Sequence, residues 1–411
     1  MDTTEIRLTA TLLYYRRRLC PHKTLRLDSR GRVTAVEEYR PGRDPAPLEG
    51  ILVPGWVNAH CHLELSYLHG AIAPGGGFAA FAAAMGRTRG LCTEQQRLRA
   101  AERADRAMWE EGVQAVGDVC NGESTFALKS RSPIRYHSFM ELFGLRSADA
   151  AAQRASVRRA EATGLRASVT PHSLYSLNTA AFADAAGDGP SAGIPCSGGI
   201  SGADTAETRR PGRGPAECAP LSIHFLESEG EAALFRGEGD LSEWYARAGF
   251  SADFLGFGSP TARLTAQVPA SRRVLLVHGC CAGEAEMERI DAHFTRPATW
   301  VVCPRSNRYI SGARPPLELL LRRGAQVAVG TDSLASNTSL SMVAELAAMP
   351  EVPLEERLWW ATGGGAQALG LAHRIGAFET GLSPGAVLLT GADIRSPRPQ
   401  LTPEARSRRL I

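Results

Sequence analysis

Residues 52–62 of the chain read LVPGWVNAHCH, an apolar run that ends in two histidines separated by a single residue. In an extended chain, side chains two residues apart point to the same side, so His60 and His62 face one point. Neutral imidazoles are good ligands for a borderline divalent metal ion. The stretch therefore predicts a buried strand that ends in part of a metal site. The plainer interpretation is that two histidines lie at a strand end on the surface by chance.

Seven more short apolar runs follow, separated by stretches with helical patterning, which predicts repeated βα units and a parallel sheet. A closed (β/α)8 barrel, the TIM-like form of the α/β class, requires eight such strands, and its active sites lie at their carboxyl ends. We expect the chemistry of this chain just after each strand. The predicted strands lie near residues 52–58, 113–119, 134–140, 166–171, 221–226, 274–278, 299–303 and 326–331.

Both ends of the chain also have β character. Apolar and polar residues alternate from Ile6 to about Glu38, and the stretches Ile375–Gly381 and 386–394 give similar signals. We expect a small β-sandwich domain built from both termini, residues 1–50 plus 373–411, beside a barrel of residues 51–372. Within the barrel, residues 186–220 are rich in Gly, Pro, Ser and Ala, which predicts a flexible insertion, with a lid as the alternative.

Composition limits the classes of function. The 411 residues include 44% hydrophobic and 22% charged residues, with no apolar run of about 18 residues, which predicts a soluble globular protein. The net charge is +3 and the arginine clusters are short and far apart, which argues against a nucleic-acid groove. Nine scattered cysteines and the absence of a signal-peptide pattern in the first twenty residues predict reduced thiols in a cytoplasm.

Three further predicted strands end in residues suited to metal binding or acid/base chemistry. His224 ends one run with Glu227 three residues later, His278 ends the next, and Asp332 ends the last. Each has a plainer interpretation: Glu227 as part of an acidic helix start, His278 as a hydrogen-bonded core residue, and Asp332 as a helix N-cap. Their shared position at strand ends favours one site, because this fold concentrates catalysis there.

The motifs His60-Cys-His62, His224 with Glu227, His278 and Gly330-Thr-Asp332 together resemble the signature of the amidohydrolase superfamily, in its aminohydrolase branch of adenosine and S-adenosylhomocysteine deaminase-like enzymes. The resemblance runs from about residue 50 to 372. The strings NAHCHLELS (58–66) and PRSNRYI (304–310) look similar to aminodeoxyfutalosine deaminases of menaquinone synthesis. The resemblance implies a hydrolase of carbon–nitrogen bonds other than peptide bonds, which deaminates an aminopurine nucleoside such as aminodeoxyfutalosine.

The resemblance also implies residue roles. One divalent metal ion, zinc with iron as the alternative, would be held by His60, His62, His224 and Asp332. The chain offers no lysine at the end of strand 4, where binuclear members carry a bridging carboxylated lysine. Asp332 would accept the proton of the attacking water, Glu227 would protonate the ring nitrogen, and His278 would orient the water.

The predicted substrate-binding residues lie close to these ligands along the chain. Arg305 and Arg308 are candidates to pair with a substrate carboxylate, although both could instead face solvent. His172 could instead be a capping or packing histidine. The full set is Glu64, His172, Arg305, Asn307 and Arg308.

The expected partner is a small-molecule substrate, with neither a nucleic acid nor a membrane, and a homodimer is among the assemblies left open. Two other functions use the same barrel. One is hydrolysis of another C–N or C–Cl bond, as in cyclic amidases or chlorohydrolases, and the other is a noncatalytic scaffold. A scaffold would not need every ligand position to be filled. Protonation by Glu227 suits aminated heterocycles better than other leaving groups.

Overall fold

A computed structural model describes residues 5–88, 90–146, 148–187 and 219–411. Its first strands are β1 (Ile6–Tyr15), β2 (Arg18–Cys20), β3 (Lys23–Leu27), β4 (Val33–Glu38) and β5 (Leu48–Val53). Eight strands follow in the middle of the chain: β6 (Trp56–Cys61), β7 (Val113–Cys120), β8 (Arg135–Leu142), β9 (Arg166–Pro171), β10 (Leu221–Phe225), β11 (Val274–His278), β12 (Thr299–Val302) and β13 (Gln326–Val329). Near the end of the chain lie β14 (Val387–Asp393) and β15 (Gln400–Arg409).

Helices connect the middle strands. The α-helices are α1 (Gly77–Thr88), α2 (Glu94–Glu111), α3 (Phe126–Arg131), α4 (Ala150–Ala162), α5 (Thr179–Gly187), α6 (Glu229–Phe235), α7 (Gly239–Arg247), α8 (Pro260–Gln267), α9 (Glu284–His293), α10 (Pro304–Ser311), α11 (Leu317–Arg322), α12 (Met342–Ala347), α13 (Leu354–Trp359) and α14 (Gly365–Ala368). Single 3₁₀ helices span Leu63–Leu68 and Asp253–Phe257, and a π-helical turn spans Trp360–Gly364. None of the helices in the described residues is long and apolar enough to cross a membrane.

The eight middle strands are parallel and form two four-stranded sheets in chain order, β6-β7-β8-β9 and β10-β11-β12-β13. The sheets meet at both edges near their carboxyl ends. A parallel bridge pairs Cys61 with Asp332, and another pairs Ser173 with His224. The arrangement is therefore TIM-barrel-like, with the carboxyl ends of all eight strands facing one side.

Alternation along these strands separates two apolar regions. One face of the strands contributes residues such as Val57, Phe139, Val277 and Val301 to an inner cluster that the sheets enclose. The other face packs against the helices in a larger cluster. Burial on both faces explains the continuous apolar runs in the sequence, because parallel strands under helices have no solvated side.

Strands from both ends of the chain form one seven-stranded sheet, in the order β15-β14-β5-β1-β3-β4, with β2 also paired to β1. The predicted layering of these strands as a sandwich stays a prediction. The first half of β1, Ile6–Thr9, pairs with β3, while Ala10–Leu13 pairs with β5. Because β1 changes partners along its length, the strands remain connected as one sheet.

Several predicted boundaries also differ. The predicted first barrel strand, 52–58, is divided at Pro54-Gly55, so that Leu48–Val53 joins the terminal sheet and Trp56–Cys61 joins the parallel strands. Proline lacks the N–H that a continuous ladder would need. Residues Ile375–Gly381 form turns rather than a strand, and the described chain has left-handed glycines at both 376 and 381. The division at residues 50 and 373 stays a prediction, and nearly all of the predicted insertion, 186–220, lies outside the described residues.

Candidate metal centre and active site

Three histidines predicted as ligands come together where the two sheets meet. The ring of His60 lies 4.9 Å from the rings of both His62 and His224, measured between centroids. One nitrogen from each of the three rings can be chosen so that all lie within 4.8 Å of one another. Asp332 lies beside them, with its Oδ1 3.7 Å from His60 Nε2 and 3.5 Å from His62 Nε2.

The polar atoms of this cluster fit a bound cation. His60 is fully buried, and neither of its ring nitrogens has a hydrogen-bond partner within the described residues. Burial lowers the pKa of His62 and of His224 well below the usual value, so both imidazoles are neutral at neutral pH. Three imidazole nitrogens beside a carboxylate are a donor set that suits zinc or iron.

The orientation of His224 is set by the neighbouring strand. Its Nδ1 lies 2.9 Å from the backbone oxygen of His172, and because a carbonyl only accepts, the Nδ1 carries the proton. This leaves Nε2 as the ligand atom. Such hydrogen bonds to the second ring nitrogen commonly orient metal-binding histidines.

Asp332 is held by two hydroxyl groups that the sequence prediction did not include. Ser306 and Ser336 each donate a 2.6 Å hydrogen bond to its Oδ2, which leaves Oδ1 facing the histidines. Burial alone would raise the pKa of Asp332, but His60, His62 and His278 lower it well below the usual value. The carboxylate is therefore ionised, as a metal ligand must be.

Two of these strand ends have a strained backbone. Asp332 has a φ of 55° and His278 a φ of 75°, left-handed values that are uncommon outside glycine. Such conformations cost about 1–3 kcal/mol each and persist where the surrounding structure imposes them. In addition, the pairing of β6 with β7 shifts register between Asn58 and Cys61, so the strand is irregular where it presents His60.

Glu227 and His278 form a second pair next to the histidine cluster. The Oε1 of Glu227 lies 3.6 Å from the Nε2 of His278, and both residues are at least nine-tenths buried. Burial, followed by the charges of Asp332 and Glu231, raises the pKa of Glu227 well above its usual value. Glu227 can therefore carry a proton at neutral pH, which a general acid requires.

His278 stays neutral in this environment. Burial lowers its pKa to about 4. The amide nitrogen Nδ2 of Asn307 lies 3.0 Å from His278 Nδ1, and this hydrogen bond fixes the plane of the ring. Asn307, predicted to bind substrate, thus contacts a predicted catalytic residue.

Two buried or half-buried carboxyl groups line the side of the site near β7 and β8. Glu64 accepts a 3.0 Å hydrogen bond from the backbone N–H of Asn121, and burial raises its pKa to about 7. The side chain of Asn121 donates to Glu141 at 2.8 Å. Glu141 in turn lies 4.0 Å from His172 Nε2, whose ring stacks on His224 with centroids 4.6 Å apart. Glu64 and His172 are thus connected through Asn121 and Glu141, which the sequence prediction missed.

The two predicted arginines lie on α10. The guanidinium of Arg305 donates to Ser339 Oγ at 2.8 Å and also contacts Thr338 Oγ1. Arg308 is exposed. Within the described residues, neither side chain has a recorded hydrogen bond or ion pair to the predicted metal ligands, so a role in substrate binding stays a prediction.

Gly330 allows the last strand to approach His60. A Cβ at position 330 would lie 2.7 Å from His60 Cβ and 2.9 Å from His60 O. We expect Gly330→Ala to displace His60 and to destabilise the fold by about 1–3 kcal/mol, the usual cost of overpacking. Thermal unfolding and metal content together measure this effect.

Gly86→Ala is a matched control, because a Cβ at position 86 meets no atom within 4 Å. It should leave both the unfolding temperature and the metal content at the wild-type level or slightly raise the former. A Gly330→Ala variant with unchanged metal content and stability would contradict the proposed close approach.

The family model of the amidohydrolase family matches residues 218–407. Residues 218–407 are thus similar to the amidohydrolase family. The matched range includes β10 to β13 and four of the site residues described above, His224, Glu227, His278 and Asp332. The enzyme class expected from the sequence, hydrolases acting on carbon–nitrogen bonds, agrees with this similarity.

Two relatives illustrate the similarity in sequence. An adenosine deaminase from Helicobacter pylori is 26% identical over 338 residues, which cover 78% of this chain and 75% of that protein. A 5-methylthioadenosine/S-adenosylhomocysteine deaminase from Moorella thermoacetica is 38% identical over 106 residues, 23% of this chain. The chain matches only 24% of the length of the Moorella protein.

Solved structures share the fold of the amidohydrolase domain and its flanking sheet. Helicobacter pylori aminofutalosine deaminase in complex with methylthio-coformycin has a TM-score of 0.74 and 23% identity, over 93% of this chain and 91% of that one. Atrazine chlorohydrolase from Arthrobacter aurescens complexed with zinc has a TM-score of 0.68 and 16% identity, over 93% and 86%. Since these two proteins carry names of different reactions, the fold alone does not select the substrate.

Proposed function

We propose that this chain is a metal-dependent hydrolytic deaminase of aminopurine nucleosides, with one divalent ion held by His60, His62, His224 and Asp332. The observation that carries the proposal is that a cluster of metal ligands lies next to a buried group that can donate a proton. Three imidazoles and an ionised carboxylate converge on one point, and beside them burial raises the pKa of the carboxyl group of Glu227 well above its usual value. Hydrolytic removal of an amine from a ring needs both an activated water and a proton donor.

A divalent ion, zinc in our proposal and iron as the alternative, would supply Lewis-acid activation of the attacking water. The residues perform the proton transfers. Asp332 is ionised and can accept a proton from water, while its Oδ2 is fixed by two serines. Because its pKa is raised, Glu227 can hold a proton and give it to the ring nitrogen as the carbon is attacked. Asp332 then passes the proton it took from water to the amine, the carbon–nitrogen bond breaks and ammonia departs. The remaining hydroxyl proton returns to Glu227 as the ring carbonyl forms.

His278 is proposed to orient the water and to stabilise the tetrahedral centre. Because Asn307 donates to its Nδ1, the neutral ring carries its proton on Nε2, on the side that faces Glu227. A donor held in a fixed plane at a buried site is the usual means of stabilising charge that develops during attack.

Within this class, aminodeoxyfutalosine of menaquinone synthesis is the first candidate substrate, and S-adenosylhomocysteine, methylthioadenosine and adenosine are the others. The sequence similarity to adenosine-type deaminases supports the class. Glu64 and His172 would hold the sugar and base, and Arg305 or Arg308 would pair with the benzoate that distinguishes aminodeoxyfutalosine. The enzyme would act in the cytoplasm, and its eight parallel strands would close into a barrel over residues 51–372.

The test is product release from the metal-loaded enzyme. We expect ammonia from aminopurine nucleosides and no chloride from atrazine, which represents the second candidate function favoured by the shared fold of the chlorohydrolase. The kcat/KM for aminodeoxyfutalosine should exceed that for adenosine. Arg308→Ala should reduce this preference by about 10–100-fold, the value of a hydrogen bond to a charged group, whereas Arg314→Ala, an exposed neighbour, should not.

Two results would contradict the proposal at different levels. If kcat/KM is the same for adenosine and aminodeoxyfutalosine, and stays the same in Arg305 and Arg308 variants, the proposed recognition of a carboxylate is wrong. The proposed deaminase activity would still stand. If the enzyme releases chloride from atrazine and no ammonia from aminopurine nucleosides, the proposed deaminase activity is wrong.

A further inference from the structure

A buried lysine lies beneath the segment that carries the first two histidines. Lys129, on α3, has a fully buried side chain, and it is one of only two lysines among the 46 Lys and Arg residues of the chain. Its ammonium group forms an ion pair with Asp118 of β7, whose side chain is also fully buried. It also donates to Cys120 Sγ at 2.9 Å and to Ser138 Oγ at 3.2 Å. All three donors of the ammonium group are thereby used.

Asp118 connects this cation to the predicted metal site. While its Oδ2 contacts Lys129, its Oδ1 accepts a 2.7 Å hydrogen bond from the backbone N–H of Leu63. Leu63 lies directly between His62 and Glu64. The carboxylate therefore holds the chain at the point where the strand ends and both functional side chains leave it.

The positive charge on Lys129 allows Asp118 to hold the backbone at Leu63 from a buried position. A buried carboxylate without a partner cation is strongly disfavoured. Burial alone would lower the pKa of Lys129, but Asp118 and Cys120 raise it above the usual value, so the ammonium group stays charged. A hydrogen bond to an ionised acceptor is about twice as strong as a neutral one.

We propose that the Lys129–Asp118 ion pair is a positioning device for residues 61–64, which orients His62 toward the metal ion and Glu64 toward the substrate. Neither residue of the pair contacts metal or substrate in this role. The inference rests on the proposed function for the presence of the metal ion. It assigns a function to the one lysine that the fold buries.

The first measurement is zinc affinity, obtained by titrating metal-free protein against a competing chelator. We expect Lys129→Met to weaken zinc binding by about 10–100-fold, the usual effect of losing a group that orients a ligand. The double variant Lys129→Met with Asp118→Asn should recover most of the loss, because an amide oxygen can still accept from Leu63 without leaving a buried charge. Asp118→Asn alone leaves the buried ammonium group of Lys129 without its carboxylate, so it should also weaken zinc binding, and it provides a second variant if Lys129→Met does not fold.

Arg357→Met is a matched control for the loss of a buried cation. Arg357 is fully buried on α13 and donates to Leu346 O and Gln400 Oε1, away from the strand ends that carry the site. It should lower the unfolding temperature and leave zinc affinity unchanged. If Lys129→Met behaves in the same way, or if the double variant binds zinc no better than Lys129→Met, the proposal is overturned.

The second measurement does not need metal. Hydrogen exchange of metal-free protein should show faster exchange in peptides covering residues 58–64 in Lys129→Met than in wild type or Arg357→Met. If the wild type binds no zinc or iron, the proposed function fails, while this exchange result still decides whether the ion pair positions the segment. Equal exchange in all three proteins would refute the positioning role.

Discussion

Replacing Glu227 by Gln is expected to lower kcat by about 10²–10⁴-fold, the usual contribution of a general acid or base, without loss of the metal ion. The amide has nearly the same size as the carboxyl group, but it cannot transfer a proton. Burial keeps the pKa of Glu227 well above its usual value, so the wild-type group carries the proton that the variant lacks. Its Oε1 lies 3.6 Å from Nε2 of His278, the residue proposed to orient the attacking water.

Steady-state kinetics and metal analysis on the same preparations test this expectation. Glu229→Gln makes the same chemical change two residues later on an exposed side chain, so it should keep wild-type kcat and metal content. A Glu227→Gln variant that retains most of the wild-type kcat would remove Glu227 from the mechanism. Loss of metal in that variant would instead assign Glu227 to the ligand set.

Sequence reasoning could select the predicted site residues because strand ends are a local feature. An apolar run that stops at a histidine or an aspartate can be read from a few residues, and parallel strands bring such ends together. His60, His62, His224, His278 and Asp332, recognised in this way, lie together in the structure. Their neighbours Ser306, Ser336, Asn121 and Glu141 were missed, because each acts through a contact between different elements and leaves no local pattern.

The terminal sheet illustrates the same limit for the fold. Alternation predicted the individual strands near the amino terminus, but it could not show that β1 changes partners halfway along. Nor could it show that β15 pairs with β14, because residues 400–409 are mostly polar. Pairing depends on contacts that are distant in sequence, whereas a period of two residues describes only one strand.

Replacing His224 by Ala is expected to remove the metal ion and the activity together. Three remaining ligands would hold the ion poorly, and the variant also loses the ring that stacks on His172 with centroids 4.6 Å apart. Metal activation of water contributes several kcal/mol to catalysis, which corresponds to a fall in kcat/KM of about 10³-fold or more. Wild-type protein should contain one equivalent of zinc or iron per chain, and His224→Ala far less than one.

The control for this variant is His137→Ala, which removes a histidine of similar burial that is not among the predicted ligands. His137 lies on β8, is 3% exposed, and shares a 2.9 Å hydrogen bond with Ser168. Its loss should lower the unfolding temperature but leave the metal content at one equivalent. If His224→Ala retains both metal and activity, His224 is not a ligand. If the fully active wild type contains two equivalents, the single site formed by His60, His62, His224 and Asp332 does not describe the centre.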